Sequence, residues 1–198
     1  IGALLAVTQT DIKRILAYSS VAHAGFILLG VIAASGAGLA ATLFYLFAYA
    51  FTTLGVFAIV SLVRDPSGEA THISQWAGLG KKSPVVASIF AFFLLALAGI
   101  PLTSGFTAKF AIFGSAIAGN ATPVVIAGVV ASAIAAFFYA RIIVLMFFTA
   151  PAEDEVSVVI PSILTRAAIA LTFAVTVLLG VFPQPILSAV LNAGLFVR

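Results

Sequence analysis

The stretch Ala98-Gly99-Ile100-Pro101-Leu102-Thr103-Ser104-Gly105-Phe106-Thr107-Ala108-Lys109-Phe110 sets a lysine eight residues after a proline and five after a serine. From residue 87 to residue 118 no other side chain ionises. An ionisable group inside a bilayer costs on the order of several kcal/mol unless it pairs, neutralises or meets water, so Lys109 is a functional hypothesis by default.

Pro84 opens a helix at a favoured first-turn position. That helix is expected to stop at Gly99-Ile100-Pro101, because Pro101 lacks a donor and biases Ile100 away from the helical region. Thr103 or Ser104 can cap a second piece over 105–118. Each piece of roughly 16 residues spans ~24 Å, short for a full crossing. Two half-helices meeting near the midplane, or two short separate spans, both fit. The break, with Gly99, Pro101, Ser104 and Gly105, is expected to be lined by other helices and not by lipid, since lipid cannot satisfy the freed carbonyls. Its unpaired N–H groups at 103–106 are expected beside Lys109, where they and the apolar surroundings raise the cost of the charge. A lysine so placed can exchange a proton. The plainer alternative is a lysine that snorkels or makes a fixed salt bridge.

Outward from this stretch, the chain keeps the same character. Its 198 residues are 63% hydrophobic and 8% charged, with a mean hydropathy of +1.28. A soluble domain carries roughly 25% charged residues. Successive apolar runs of about 20 residues fit helices crossing a core ~30 Å thick, and the absence of alternating strands argues against a barrel. The expected fold is all-α, a polytopic transmembrane helix bundle with one discontinuous helix, forming a single membrane domain over 1–198. The absence of cysteine excludes thiolate-held iron-sulfur clusters and thiol chemistry within this chain. No dinucleotide fingerprint or P-loop occurs, and His23 and His72 lie too far apart for metal-ligand spacing. The pI near 9.5 rests on only nine basic residues and reads as membrane topology, not nucleic-acid binding.

Residues 1–8 read as the tail of one helix in a longer polypeptide, with Thr8, Thr10 and Asp11 as caps for the next, over 11–33. Ser35, Gly36 and Gly38 turn the chain into a helix over 39–63. A polar loop over 64–83 contains Trp76, expected as an interfacial anchor. A helix over 123–148 leads to an acidic connection with Glu153, Asp154 and Glu155. The last segment starts near Pro161, and Pro183 and Pro185 should interrupt it. If residues 84–118 cross once, Lys13, Arg14, Arg64, Lys81, Lys82 and Arg166 fall on one side and Arg198 on the other; the positive-inside rule makes the first side cytoplasmic and the C-terminus outside.

Other polar groups sit inside the apolar segments. His23 lies ~15 Å from the polar start of its helix and can relay protons or simply hydrogen-bond between helices. Tyr45 and Tyr49 share a face with Thr52 and Thr53 a turn further on, a stripe able to hold a water chain or merely to pack. Lys13 and Arg14 mark a helix start, Arg14 as an orientation signal. Arg141 is close enough to its helix end to snorkel. No acid within the apolar segments pairs with Lys109.

The runs Gln9-Thr10-Asp11-Ile12-Lys13-Arg14-Ile15-Leu16-Ala17-Tyr18-Ser19-Ser20 and Val21-Ala22-His23-Ala24-Gly25-Phe26, together with residues 98–110, resemble the antiporter-like proton-translocating membrane subunits of respiratory complex I. Within that family the chain is most similar to the subunit N branch of bacterial NADH-quinone oxidoreductase. Larger relatives carry two histidines and a lysine where Tyr45, Tyr49 and Thr53 stand here. The compact ending Gly180-Val181-Phe182-Pro183-Gln184-Pro185 also matches that branch. The resemblance implies a 14-helix subunit of two inverted repeats, with this chain as helices 10 to 14 and a remnant of helix 9. It implies that Lys109 is the broken-helix lysine of the second repeat; His23, Lys13, Tyr45, Tyr49 and Thr53 are further proton-path candidates, transfer past Tyr45, Tyr49 and Thr53 having to run through water and hydroxyls. It places the chain in a bacterial inner membrane as one subunit of a proton-translocating NADH:quinone oxidoreductase. The chain itself then binds no cofactor; NADH, flavin, iron-sulfur clusters and quinone belong to other subunits. Its partners are neighbouring antiporter-like and small membrane subunits and the lipid bilayer, with no nucleic acid. A multisubunit cation/proton antiporter or a non-translocating membrane scaffold are the rival readings.

Overall fold

A computed structural model describes residues 1–151 and 156–193. The short helix α1 (Gly2–Val7) leads into α2 (Ile12–Ile32), which Asp11 starts by accepting the Arg14 amide N–H at 2.9 Å. Helix α3 (Gly36–Val60) begins three residues before the expected start because the Ser35 hydroxyl accepts the Gly38 amide. Gly38 therefore lies inside the first turn, where its missing side chain matters: a Cβ there would sit 2.4 Å from the Gly30 carbonyl of α2. Three further helices complete the first part, α4 (Leu79–Lys82), α5 (Pro84–Ala98) and α6 (Ser104–Ala118). Helices α7 (Thr122–Phe148), α8 (Ile163–Val181) and α9 (Gln184–Ala193) follow, with the α8 to α9 interruption at Phe182 and Pro183 as expected from the prolines.

Among the described residues, α2, α3, α7 and α8 are each long and apolar enough to cross a membrane. Their outer faces present Leu54, Phe137 and Val144, more than half exposed, which suits lipid and would be untenable in water. The all-α membrane bundle expected from composition is what the chain forms.

The stretch expected to be a plain polar loop has structure of its own. Helix α3 ends at Val60 and not at 63, since Val63 joins β1 (Val63–Asp65), which pairs antiparallel with β2 (Gly68–Glu69) and β3 (Ser157–Val158) in the order β2-β1-β3. These strands are too short to show any alternation in sequence. The Asp65 carboxylate shapes the tight turn by accepting from the Ser67 amide and hydroxyl. Trp76 is not an interfacial anchor. It is fully buried, donates its indole N–H to the Ala70 carbonyl at 2.9 Å and lies 4.9 Å from Phe90. An indole can enter a core once its one donor is satisfied, and the folded-down segment supplies that acceptor.

This cap gathers the helix ends on one face. The Ile12 amide donates to the Thr71 carbonyl and the Ile73 amide to the Thr10 carbonyl, and the Gly78 amide reaches Leu145 near the end of α7. Lys13, Arg14, Arg64, Lys81, Lys82 and Arg166 all belong to elements meeting at this face, the grouping that the basic residues suggested. Arg198, Glu153, Asp154 and Glu155 lie outside the described residues. On the opposite face Gly119 packs against Ala33, so the end of α6 meets the end of α2. Helix α5 starts at the capped face and α6 ends at the other.

Candidate functional site

Helical hydrogen bonding stops at Ala98 and resumes at Ser104. Gly99 ends α5 in the left-handed conformation, φ +85°, and Leu102 is also left-handed at φ +70°. Neither Thr103 nor Ser104 caps α6 with its side chain: the Thr103 hydroxyl donates back to the Ile100 carbonyl at 2.7 Å. Glycines allow the close approach on the inner side. A Cβ on Gly105 would lie 1.8 Å from the Ala96 carbonyl oxygen, and one on Gly180 of α8 would lie 2.3 Å from that of Leu102. The expectation that other helices line the whole break holds only for this inner side, where Thr103 and Ser104 are buried. Ile100, Pro101 and Leu102 face outward, Leu102 being 74% exposed.

Lys109 sits in the second turn of α6, and side chains on a helix tilt toward its N-terminus. Its ammonium is thereby carried back to the end of α5. It donates to the Leu97 carbonyl at 3.0 Å, the Ala98 carbonyl at 2.8 Å and the Ser132 hydroxyl of α7 at 2.9 Å, and lies 5.1 Å from the centre of the Phe26 ring. The residue is only 5% exposed. The expected neighbour was the positive start of α6. The observed one is the carbonyl end of α5, the negative end of a helix dipole. Three ammonium protons meet three acceptors, and no carboxylate among the described residues takes part.

A second buried cluster forms around His23. Its Nδ1 meets the Tyr45 hydroxyl at 2.8 Å and its Nε2 the Tyr139 hydroxyl at 3.4 Å, while its ring stacks on Tyr49 at 4.6 Å. Tyr139 also hydrogen-bonds Ser19, and Tyr49 donates to Ser20 at 2.7 Å. Thr52, one turn beyond Tyr49, lies 3.4 Å from the Ser104 hydroxyl at the break and 3.3 Å from Thr176 of α8. A cavity of about 10 Å³, with room for one water, separates the two groups; His23, Tyr45, Tyr49, Thr52, Leu97 and Ser104 line it.

The structure thus brings together His23, Tyr45 and Tyr49, with Lys109 and the break alongside, and leaves other candidates out. Thr53 has a buried hydroxyl without a partner among the described residues, and Thr52 makes the contacts instead. Lys13 lies at the capped face in an ion pair with Glu69, away from the buried groups. Arg141 reaches the Val7 carbonyl at 3.2 Å from an exposed position. Ser132 and Tyr139 escaped the sequence reading. They are seven residues apart, two turns of one face of a helix that is apolar but for Thr122 and Arg141, and that spacing was the available signal.

The family described as NADH:quinone oxidoreductase/Mrp antiporter, TM matches residues 1–135, more than half of the chain. The chain belongs to this family. It is similar to NADH-quinone oxidoreductase subunit N of Rhodococcus opacus, 61% identical over 198 residues, all of this chain and 37% of that protein. Among solved structures, a chain of respiratory complex I from Thermus thermophilus with bound aureothin superimposes with a TM-score of 0.83 at 30% identity, covering 96% of this chain and 42% of that one. A chain of the Mrp complex of a Dietzia species gives 0.81 at 26% identity, over 98% of this chain and 44% of that one. The chain spans a little over a third of the length of the curated relatives it matches. The site described above therefore sits in an NADH:quinone oxidoreductase/Mrp antiporter membrane domain.

Proposed function

We infer that this chain is the C-terminal part of a proton-translocating membrane subunit of NADH-quinone oxidoreductase, in a bacterial inner membrane with the capped, lysine-rich face toward the cytoplasm and the C-terminus outside. It forms one membrane domain of about five spanning helices, with α5 and α6 as the two halves of one discontinuous span. What supports that last point is their placement, α5 starting at the capped face and α6 ending beside Ala33 at the other.

One observation carries the function: a buried lysine with no carboxylate partner among the described residues, held by two main-chain carbonyls and a single hydroxyl. A carbonyl accepts a hydrogen bond but has no proton to pass on, whereas a hydroxyl both accepts and donates. Lys109 holds the proton and Ser132 is the contact able to relay it. His23, between two phenols, is the second exchangeable group, and the cavity extends its reach through one water to Thr52 and Ser104. Lys109, His23, Tyr45 and Tyr49 remain the proposed proton path, joined by Ser132 and Tyr139; Thr53 enters only through water, and Lys13 only as an entry group at the membrane face. Electron transfer, with its NADH, flavin, iron-sulfur and quinone chemistry, belongs to other subunits, and neighbouring membrane subunits are the partners.

The test compares proton uptake per quinone reduced, at matched electron-transfer rates, for the intact complex and its Lys109→Ala variant. Loss of uptake with assembly retained is the expected result; unchanged uptake would leave Lys109 as a fixed contact in a scaffold. The Mrp likeness supports a second reading as a cation/proton antiporter subunit. Redox subunits encoded beside this gene would decide for the oxidoreductase.

A further inference from the structure

At the capped face, α5 and α8 diverge and leave a groove of about 450 Å³, within the size range of small-molecule sites. Ile59, Val85, Ile89, Ile169 and Phe173 give it apolar walls, and Arg166 stands at its mouth. From Arg166 to Phe173 the groove descends ~10 Å along α8, parallel to a lipid chain and starting at head-group level. The Arg166 Nε donates to the Pro161 carbonyl at 3.1 Å, which fixes the guanidinium there. Its two terminal nitrogens have no acceptor among the described residues. Lys81 lies three residues before the helix that forms the opposite wall.

We propose that this groove is a binding site for an anionic phospholipid of the leaflet on the capped face, its acyl chain along the α5 to α8 groove and its phosphate on Arg166. Charge complementarity selects this occupant. A planar guanidinium whose parallel donors meet no acceptor among the described residues matches a phosphodiester, and basic pockets between helices at a membrane face recruit acidic head groups. An apolar partner helix would fill the slot but leave those donors unmet. The inference is independent of proton translocation.

The test uses the purified full-length protein, with the subunits that accompany it, in phosphatidylcholine vesicles. A minor share of the lipid is a probe with a diazirine on its acyl chain, either phosphatidylglycerol or phosphatidylcholine. After illumination, labelled peptides are quantified by mass spectrometry. Peptides from residues 161–173 should carry about fivefold more of the phosphatidylglycerol probe, the factor expected of one arginine near the surface. The exposed Val130 segment of α7, three turns from the nearest basic residue of that helix, should take both probes equally. Arg166→Gln should bring the groove ratio to about one, and Ala170→Phe, which fills the slot, should lower labelling by both probes. Equal labelling of the wild-type groove, or no groove labelling while Val130 is labelled, overturns the proposal; the second result means that protein covers the groove. The wild-type comparison decides even if a variant does not assemble.

Discussion

The ammonium of Lys109 donates to the carbonyl of Ala98 at 2.8 Å, so a cation on one helix is held by the last residue of the helix before it. The interruption supplies the carbonyls because no following turn claims them. Gly99 makes the approach possible: a Cβ there would lie 3.0 Å from the Lys109 Cδ and 3.2 Å from Nζ.

Gly99→Ala should therefore destabilise the membrane domain by about 1–2 kcal/mol, the cost of a left-handed alanine, and displace the Lys109 side chain. Gly114→Ala is the control. That glycine is helical with nothing within 4 Å of an added methyl, and the change should be neutral or stabilising by up to about 1 kcal/mol. Melting temperatures of the two purified variants check the pair, and equal effects would contradict the argument.

Ser132→Ala keeps both carbonyl contacts of Lys109 and removes the partner that can donate as well as accept. Proton uptake should fall about tenfold or more, a modest loss for a proton-transfer group, with assembly intact. Tyr139→Phe, which cuts the link from Ser19 to His23, should slow uptake in the same assay. Wild-type rates in both variants would remove α7 from the path.

Trp76 tests the cap. Trp76→Phe retains packing against Phe90 and loses one hydrogen bond, an expected cost of about 1 kcal/mol; Trp76→Ala should cost about 3–5 kcal/mol. If Trp76 were an anchor at the lipid surface, the two variants would melt alike.

Asp65 gives the cap a pH dependence. Hydrogen bonds donated by the Ser67 hydroxyl and the Gln75 amide hold its carboxyl below the ordinary value of 3.8. With the folded value depressed, its contribution is present above the unfolded value and is lost as pH falls through the folded one. Protection of the Ser67 amide against exchange, taken relative to an unstructured peptide at the same pH, should fall below pH 3.8 in the wild type, and Asp65→Asn should remove that acid dependence.

Much of the arrangement is legible in the residues, and the gaps have physical causes. Pro101 and Gly99 mark the interruption because their backbone limits are local, and a lone lysine among apolar residues marks itself. The partners of Lys109 depend on which end of which helix its side chain reaches. The N-terminal tilt of helical side chains points to the break, but the charge of the group waiting there depends on how α5 and α6 cross at Gly105. Trp76 departs from its expected place because a tryptophan near a membrane edge looks the same in sequence whether it meets lipid or the Ala70 carbonyl. Ser132 and Tyr139 are hidden by a helix whose two faces differ by little else. Thr52 displaces Thr53 because Ser104 and Thr176, distant in sequence, decide which threonine is met.

On the proposed function, Lys109 works by gaining and losing a proton and not as a permanent charge. Arginine preserves the charge and can still reach carbonyls, but it hardly deprotonates in proteins. The measurement is proton uptake per quinone reduced by the Lys109→Arg complex in sealed vesicles, with assembly verified. Uptake should be impaired as severely as with alanine. Full uptake by the arginine variant would contradict this role.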